Sequence, residues 1–347
     1  MRLFILLAFF CPALASFEPY AAVVIGGGPA GLSCAIECAR TGYKTVLIDA
    51  PQEGIFAPAL PVTNWPGFPS PHWRGAIGTL QMSYSRYGGV YAGTRALSIK
   101  RDLSGFLVTT EKVAFRAVSV IVATGRRPPA PPFKVVAAHS SRVLSRLWDE
   151  SFLTQNEIVA VVGSGSQATE SAIRAAARSR QVYLFRQPLL AMDPSEETLI
   201  EQVPRITRMY GSKVTGVIEN KEGVTIEYMK HSSKLILKGN WVIIANEWTP
   251  NSEIARSLVP CDSAGAIIVQ GLDGLTSVPG IFACGEVSST QALQGVLASA
   301  DGVRTALAVC SFLMRQGFLP TPKQEEERAP PREEPTRAEP KEESDRS

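Results

Sequence analysis

The chain has 347 residues, of which 45% are hydrophobic and 28 are glycine. This length and composition favour an α/β protein of two domains with a sizeable buried core. The formal net charge is only +3 and no basic run is interleaved with aromatic residues, so we expect no nucleic-acid interface. A small molecule or another protein is the expected partner.

Both ends of the chain predict segments outside the folded core. Residues 1–15 have a signal-peptide layout, with the apolar run Leu3–Phe10 followed by Ala13-Leu14-Ala15. The run is short for a membrane span, so we expect cleavage after Ala15 and secretion or delivery to the endoplasmic reticulum lumen. An uncleaved anchor and an organellar presequence are the alternatives. Residues 319–347, rich in Pro, Glu, Lys and Arg, predict a disordered charged tail.

A glycine-rich turn near the N-terminus predicts a βαβ unit that binds a dinucleotide. The predicted elements are a strand ending at Ile25, a helix over Leu32–Arg40 and a second strand over Lys44–Asp49. The turn between the first strand and the helix is Gly26-Gly27-Gly28-Pro29-Ala30-Gly31, which has the Gly-x-Gly-x-x-Gly pattern.

Three glycines and one acid of this unit have separate predicted roles. Gly26 permits the tight bend, Gly28 lets the backbone approach a pyrophosphate, and Gly31 lets the helix pack closely against the strand. The free N–H groups at the start of the helix then face the phosphates. Asp49 ends the second strand, where it is placed to hold a ribose hydroxyl. A purely structural turn is the alternative.

The middle of the chain repeats this pattern. A strand beginning near Glu157 meets the turn Gly163-Ser164-Gly165-Ser166-Gln167-Ala168, which precedes a helix over Ala168–Arg178 and a strand over Gln181–Arg186. The second strand ends in Arg186 rather than in an acid, which favours the extra phosphate of NADP over the free ribose hydroxyl of NAD. The alternative is that Arg186 is an ordinary surface arginine.

The remaining predicted elements frame these two units. The Pro-rich stretch Arg127–Phe133 predicts a linker after the strand Ala117–Gly125, and we place a domain boundary there. Short strands over Val214–Leu237 are broken by a hairpin turn at Asn220–Gly223. The later elements are the strand Trp241–Ala245, the strand and turn Ile281–Val287 and the helix Gln294–Phe312. The residues alone leave open whether the last two join the first unit.

The six cysteines do not form a disulfide framework, because an odd number remains once the predicted signal peptide is removed. No two of them form a Cys-x-x-Cys pair. Cys34 and Cys38 lie four residues apart on one helix, and we expect both to be small core residues, with a redox role as the alternative. The three histidines are scattered, so no metal site is predicted.

Several motifs follow one another in the order found in the low-molecular-weight thioredoxin reductases, and from Ala21 to Gly317 the chain resembles that branch of the pyridine nucleotide-disulfide oxidoreductases. Besides the two glycine-rich turns they are Asn64-Trp65-Pro66-Gly67-Phe68-Pro69, Ala123-Thr124-Gly125, Thr249-Pro250-Asn251 and Pro279–Gly285. The resemblance implies an α/β fold with two Rossmann-like three-layer nucleotide-binding domains, the second inserted in the first. The FAD domain would comprise residues 16–128 and 250–318, the NAD(P)H domain residues 129–249, and the protein would be a homodimer.

The resemblance also implies which residues bind the cofactors. Glu286 would contact the ribityl chain of FAD, and the helix opening at Gln294 would direct its N-terminus at the flavin, where negative charge develops on reduction. NADPH, or alternatively NADH, would bind at Gly163, Gly165, Ala168 and Arg186. No catalytic nucleophile is predicted. The full set of predicted FAD residues is Gly26, Gly28, Pro29, Ala30, Gly31, Asp49, Asn64, Thr124, Gly125, Gly285, Glu286, Gln294 and Gly295.

The chain departs from the family pattern where the chemistry occurs. The family's Cys-x-x-Cys-Asp falls on Arg146–Glu150, which has no cysteine, and its His-Arg-Arg-x-x-x-Arg falls on Phe185–Ala191, which keeps one arginine. The glycine of its Gly-x-x-Pro-Asn is Glu247. Smaller changes place Glu286 for Asp, Leu293 for Arg, and Glu53-Gly54-Ile55 for Gly-Gly-Gln. We expect FAD binding to be kept, the grip on the NADP phosphate to be weakened, and the dithiol relay to be lost.

The leading hypothesis is an FAD-dependent NAD(P)H oxidoreductase that passes electrons to an unidentified small-molecule or protein acceptor. Iron–sulfur proteins, flavin proteins, quinones and low-molecular-weight disulfides are the acceptor classes that the resemblance suggests. One alternative is a flavin-binding protein without enzymatic activity. Another is a disulfide reductase in which Cys34 and Cys38 supply a relocated dithiol.

Overall fold

The structure is a computed structural model. It describes residues 18–50, 65–66, 73–103, 105–128, 130–136, 142–145, 147, 150–186, 194–289 and 294–321. Several predicted features lie outside the described residues: the signal peptide, Asn64, the segment Glu53–Ile55, all of Arg146–Asp149 except Leu147, and the tail beyond Thr321.

The first sheet joins the N-terminal unit to a late part of the chain. It contains β1 (Tyr20–Ile25), β2 (Thr45–Asp49), β3 (Val90–Gly93), β4 (Ala96–Asp102), β5 (Gly105–Thr110) and β6 (Ala114–Val122), in the order β3-β2-β1-β6-β5-β4. A late strand, Ile281–Ala283, pairs in parallel with β6. β1, β2, β3 and β6 are parallel, whereas β4 and β5 extend the sheet as antiparallel strands. Helices α1 (Pro29–Arg40) and α2 (Trp73–Arg86) follow β1 and β2 in the chain.

The second unit has a parallel sheet and an antiparallel sheet. In chain order its elements are β8 (Lys134–Val136), β9 (Val143–Leu144), β10 (Ile158–Gly163), α3 (Gly165–Arg178), β11 (Gln181–Arg186), α4 (Pro194–Glu201), β12 (Ile206–Arg208), β13 (Ser212–Glu219), β14 (Val224–Lys230), β15 (Ser233–Gly239) and β16 (Trp241–Ala245). The parallel sheet has the order β12-β11-β10-β16-β9, and the antiparallel strands β13 to β15 are joined at one edge by β8, which is parallel to β13. The short strands β7 (Arg126–Arg127) and β17 (Thr249–Pro250) lie before and after this unit in the chain, and β18 (Ile281–Ala283), the late strand of the first sheet, and α5 (Gly295–Arg315) follow.

Both parallel sheets are covered on both faces, which explains their continuous apolar strands. Alternate residues of β1 pack against α1 and α5 on one side and against residues 254–287 on the other. In the second unit β10 packs on α3 through Val159 and Val161, and on the antiparallel sheet through Ala160 and Val162. The three-layer arrangement of each unit follows from this burial.

The chain crosses between the two units along a pair of short strands. β7 pairs antiparallel with β17, and the Asn251 N–H donates to the Gly125 carbonyl at 2.9 Å. The stretch Arg127–Phe133, predicted to be a linker, therefore begins with a residue of a paired strand. An exposed ion pair between Arg127 and Glu253, 2.6 Å long, lies beside this crossing.

Helices α1, α3 and α5 begin at residues other than those predicted, whereas α1 and α3 end at the predicted residues, Arg40 and Arg178. α1 begins at Pro29 rather than Leu32, and α3 begins at Gly165 rather than Ala168, because the first helical turn is already part of each glycine-rich motif. Proline suits the first helical position, where its fixed φ and missing N–H cost nothing. α5 runs three residues past Phe312 and ends where Gly317, at φ +81°, lets Phe318 N–H bond back to Leu313.

α5 is the one helix among the described residues that is long and apolar enough to cross a membrane. Its contacts account for that apolar character, since it packs along α1 and against the first sheet. Gly302 allows this close packing, because a Cβ atom there would lie 2.1 Å from the carbonyl oxygen of Ala30.

Candidate functional site

A cleft of about 780 Å³ opens at the carboxyl ends of β1, β2 and β6. This is the size and position expected for a ligand site in an α/β sheet. The predicted FAD residues that line it are Gly26, Gly28, Pro29, Ala30, Asp49, Thr124, Gly125, Glu286, Gln294 and Gly295. The structure thus brings together side chains and backbone from five separate segments of the chain.

Gly26 and Gly31 shape the turn at the floor of the cleft. Gly26 has φ +113°, and a Cβ atom on it would lie 2.3 Å from the Ala123 carbonyl oxygen. A Cβ atom on Gly31, which lies behind the turn, would be 1.8 Å from the Gly26 carbonyl oxygen. Both positions therefore require glycine, as the motif predicts. The N-terminus of α1 consequently opens directly onto the cleft.

Asp49 lies half-buried at the end of β2, beside the turn. The space next to its carboxylate is available only because residue 27 is glycine: a Cβ atom there would be 2.5 Å from Asp49 Oδ2. The Tyr91 hydroxyl donates to Oδ2 at 3.3 Å and orients it. Partial burial and the neighbouring carboxylate raise the pKa of Tyr91 to about 12, so it remains a donor at neutral pH.

The late segment completes the opposite wall. Gly285, at φ +71°, packs against α1, since a Cβ atom there would lie 2.7 Å from Ala30 Cβ. Glu286 follows it in a short 3-10 turn and lines the cleft. The Arg126 Nε donates to the Glu286 carbonyl at 2.7 Å. The strand and turn that the residues alone could not place therefore belong to the first unit.

α5 begins at the same cleft. Gln294 precedes its first turn in an extended conformation and makes no side-chain capping bond, so the N–H groups of that turn open toward the ligand space. Gly295 lies against Trp73, which packs edge-on against Trp65 with ring centroids 5.9 Å apart. Trp65, the tryptophan of the predicted Trp-Pro-Gly motif, thus lies with Trp73 against the start of α5, 3.3 Å from the Cβ position of Gly295.

Sequence reasoning missed one wall of the cleft. This wall is lined by Thr94 and Arg95 of the connection between β3 and β4, and by Ala96 and Leu97, the first residues of β4. Their only signal in the sequence was their position after a strand of the parallel sheet, since they carry no motif. Arg95 adds a basic side chain to this wall.

These features fit FAD. The glycine cradle, the terminal acid of β2 and two helix N-termini are the groups that a dinucleotide's phosphates and ribose require. Asp49, at the end of β2, and Gln294, at the start of α5, line the same cleft.

The second glycine-rich turn has the same construction at the end of β10. A Cβ atom on Gly163 would lie 1.9 Å from the Ala245 carbonyl oxygen, and Gly165 has φ +68°. Ala168, in the first turns of α3, is fully buried in the core that the helix forms with β10. Arg186 Nη2 donates to Thr169 Oγ1 at 3.1 Å, which places the guanidinium beside the first turns of α3.

An acid lies at the start of α3. Ser166 Oγ donates to Glu247 Oε1 at 3.3 Å, and the same oxygen is 3.2 Å from the position of a Cβ atom on Gly165. Glu247 follows β16 and is exposed. Sequence comparison with the family showed a lost glycine at this position but not where the new carboxylate would lie.

Leu147 is the described member of the segment where the family has its redox pair. It is buried in the core of the second unit, and its carbonyl accepts from Arg174 Nη1 at 3.1 Å. The other residues of Arg146–Asp149 lie outside the described residues.

Four buried cysteines lie together between α1, α5 and the first sheet. Cys34 is within hydrogen-bonding reach of Cys284 and Cys38, and Cys38 is within reach of Cys310. All four are free thiols, and Cys284 also lines the cleft. Among the described residues no group of His, Cys, Asp or Glu has the arrangement of a metal site.

The burial of two of these cysteines was predicted, whereas their contact with the other two was not. Cys34 and Cys38 are buried core residues, as expected. Cys284 and Cys310 were not predicted to join them, because both lie far from Cys34 in the sequence. Hydrogen bonds from Cys310 and then from Cys34 lower the pKa of Cys38 to about 5, whereas the same thiol contacts and burial raise the pKa values of Cys34 and Cys310.

The fold and the two glycine-rich sites define a protein with two Rossmann-like nucleotide-binding domains. Residues 20–306 match the family described as pyridine nucleotide-disulphide oxidoreductase, and the chain belongs to this family. The structure of thioredoxin reductase from Streptococcus pyogenes superimposes with a TM-score of 0.76 over 85% of this chain and 98% of that one, at 23% identity. The predicted fold class is confirmed.

Two thioredoxin reductases share just over a quarter of the aligned residues with this chain. The NADPH-dependent thioredoxin reductase 3 of Arabidopsis thaliana is 27% identical over 328 residues, which cover 88% of this chain and 61% of that protein. The chain therefore spans about three fifths of that relative. The thioredoxin reductase of Aquifex aeolicus is 28% identical over 306 residues, which cover 85% of this chain and 93% of the relative.

Proposed function

We propose that this chain is an FAD-dependent NAD(P)H oxidoreductase of thioredoxin reductase type that reaches its electron acceptor without a Cys-x-x-Cys pair. The observation that carries the proposal is the single cleft shared by the glycine-rich turn, Asp49, Glu286 and the start of α5. A second turn of the same construction, at Gly163–Ala168, supports a separate nicotinamide site. The thioredoxin reductases among the relatives, one named NADPH-dependent, support the same pairing of cofactors.

The residues of the cleft have distinct tasks in this proposal. The N-terminus of α1 binds the pyrophosphate of FAD, and Asp49, oriented by Tyr91, accepts a ribose hydroxyl. The N-terminus of α5 stabilises negative charge at its end of the cleft. When bound, FAD supplies the chemistry of accepting hydride from the nicotinamide and delivering two electrons to the acceptor.

Anaerobic titration of the purified protein with NADPH and with NADH tests this function. We expect the protein to carry flavin and its visible absorbance to bleach with at least one nicotinamide. Bound flavin that neither nicotinamide reduces would refute the oxidoreductase and favour the non-enzymatic flavoprotein.

The cysteine cluster favours one second candidate, a disulfide reductase with a relocated dithiol. Its thiols form a continuous series from Cys284 at the cleft through Cys34 and Cys38 to Cys310. Cys310 lies near the outer end, where Thr41 Oγ1 is 3.3 Å from its Sγ. A disulfide between two of these cysteines would take up two electrons and two protons and become two thiols.

Thiol counting distinguishes this candidate. The protein is oxidised mildly, freed of oxidant, treated anaerobically with NADPH, quenched with acid and titrated for thiols in denaturant. The relocated dithiol predicts two additional thiols per chain after NADPH, and none in the Cys34→Ala/Cys38→Ala double variant. Cys261→Ala is the matched control, because Cys261 lies apart from the cluster. An equal gain in the double variant, or no gain in any form, rules the dithiol out.

We further propose that the mature protein lacks residues 1–15, follows the secretory route and forms a homodimer. N-terminal sequencing of protein recovered from secretory compartments tests the cleavage, and light scattering tests the dimer. An intact N-terminus or a monomer at working concentration contradicts the respective part.

A further inference from the structure

Glu247 brings a negative charge to the start of α3 from a separate strand. It follows β16, and its Oε1 accepts from Ser166 Oγ at 3.3 Å and lies 3.2 Å from the Cβ position of Gly165. α3 has no acidic residue in its own first turn, and its N-cap residue Ser164 makes no side-chain capping bond. The carboxylate of Glu247 therefore takes the place at this helix end where an anion is most strongly attracted.

The same place is required by the proposed nucleotide. In a strand–turn–helix unit the pyrophosphate of a dinucleotide binds at the N-terminus of the helix, close to the backbone of the turn. Gly165, at φ +68°, keeps that backbone open, but the Glu247 carboxylate lies directly beside it. Two anionic groups in one place repel each other, and the side chain must leave or lose its charge before the pyrophosphate binds.

We infer that Glu247 is a built-in competitor for the nicotinamide dinucleotide, which lowers affinity by occupying the pyrophosphate position at the start of α3. The inference rests on the proposed function, because it concerns the same nicotinamide site. Glu247 is exposed, so its side chain can rotate into solvent without disturbing the core. Arg186, held by Thr169 on the same helix, provides positive charge nearby, so removal of the carboxylate leaves a net attractive site.

Binding is measured by calorimetry with NADP⁺ and, separately, NAD⁺, on the flavin-loaded protein. Glu247→Gln removes the charge and keeps the size, and Glu247→Gly removes both. We expect both variants to bind about three- to tenfold more tightly than the wild type, because the wild type must first move the carboxylate away from Ser166 and the start of α3. Glu222→Gln is the matched control, because Glu222 is an exposed glutamate on the β13–β14 hairpin. This variant should bind NADP⁺ and NAD⁺ with the affinity of the wild type.

Salt provides a second readout. Raising the ionic strength screens the attraction of Arg186 in every variant, but it also screens the repulsion by Glu247 in the wild type. The gain in affinity on Glu247→Gln should therefore shrink as salt rises. Inorganic pyrophosphate, used as a competitor of NADP⁺, should bind more tightly to the same variant.

The inference is overturned if Glu247→Gln and Glu247→Gly bind the nucleotide within about twofold of the wild-type affinity or more weakly. It is also overturned if neither variant nor the wild type binds a nicotinamide nucleotide. Flavin bleaching is recorded anaerobically on separate portions of the same preparations, with NADPH and with NADH as the reductants. Unchanged affinity with bleaching overturns the competitor and leaves the oxidoreductase standing. Increased affinity without bleaching supports the competitor and refutes the oxidoreductase.

Discussion

Replacing Gly302 by alanine tests whether the packing of α5 on α1 holds the flavin site. The added Cβ atom would lie 2.1 Å from the Ala30 carbonyl oxygen and 2.9 Å from its carbonyl carbon. Both contacts are with backbone, so the two helices must separate by about 1 Å, and overpacking of this kind costs about 1 to 3 kcal/mol. Because neither backbone atom can move aside on its own, we take the upper part of that range, about 2 to 3 kcal/mol. Alanine gains about 1 kcal/mol of helix propensity over glycine, which leaves a net loss of about 1 to 2 kcal/mol.

The displaced residue is itself part of the cleft, so a functional readout accompanies the loss of stability. Ala30 lines the flavin space and contacts Gly285. We therefore expect Gly302→Ala to lower both the midpoint of thermal unfolding, by several degrees, and the flavin retained per chain after dialysis. Gly78→Ala is the matched control: it lies within α2 with no atom within 4 Å of its Cβ position, and it should be as stable as the wild type or more so. A Gly302→Ala protein with wild-type melting and flavin content would refute this reasoning.

Two further predictions concern the two glycine-rich sites. Asp49→Asn removes the charged acceptor for the ribose and should weaken flavin binding by about 10- to 100-fold, corresponding to about 1.5 to 3 kcal/mol. Tyr91→Phe should weaken flavin binding by much less. Equal flavin content after dialysis in the wild type and in Asp49→Asn contradicts this role of Asp49. Gly163→Ala places a Cβ atom 1.9 Å from the Ala245 carbonyl oxygen, so this variant should no longer bind the nicotinamide nucleotide. Flavin should be retained, because the flavin cleft is built on the other sheet. Calorimetry and visible absorbance on one sample measure both, and tight NADP⁺ binding by this variant refutes the prediction.

Local elements and both phosphate turns followed from the sequence. Gln181–Arg186 and Trp241–Ala245 are strands with the predicted bounds, because a short apolar run flanked by turn residues has few other ways to bury its side chains. The hairpin turn at Asn220–Gly223 was equally local, since the Asn220 side chain accepts from the N–H groups of the turn itself. The glycines of each motif were predictable because the spacing of the motif identifies the positions where a side chain would collide with the backbone or keep a ligand away from it.

Contacts between distant parts of the chain were decided only by the tertiary structure. Cys34 and Cys310 are far apart in sequence, and no periodicity of either helix shows that α1 and α5 cross at close range. The meeting of Glu247 with Ser166 depends in the same way on β16 lying beside β10 in the parallel sheet. Sequence periodicity determines which face of an element is buried, whereas the identity of the residue opposite depends on strand order and helix crossing, which arise from the packing of the whole chain.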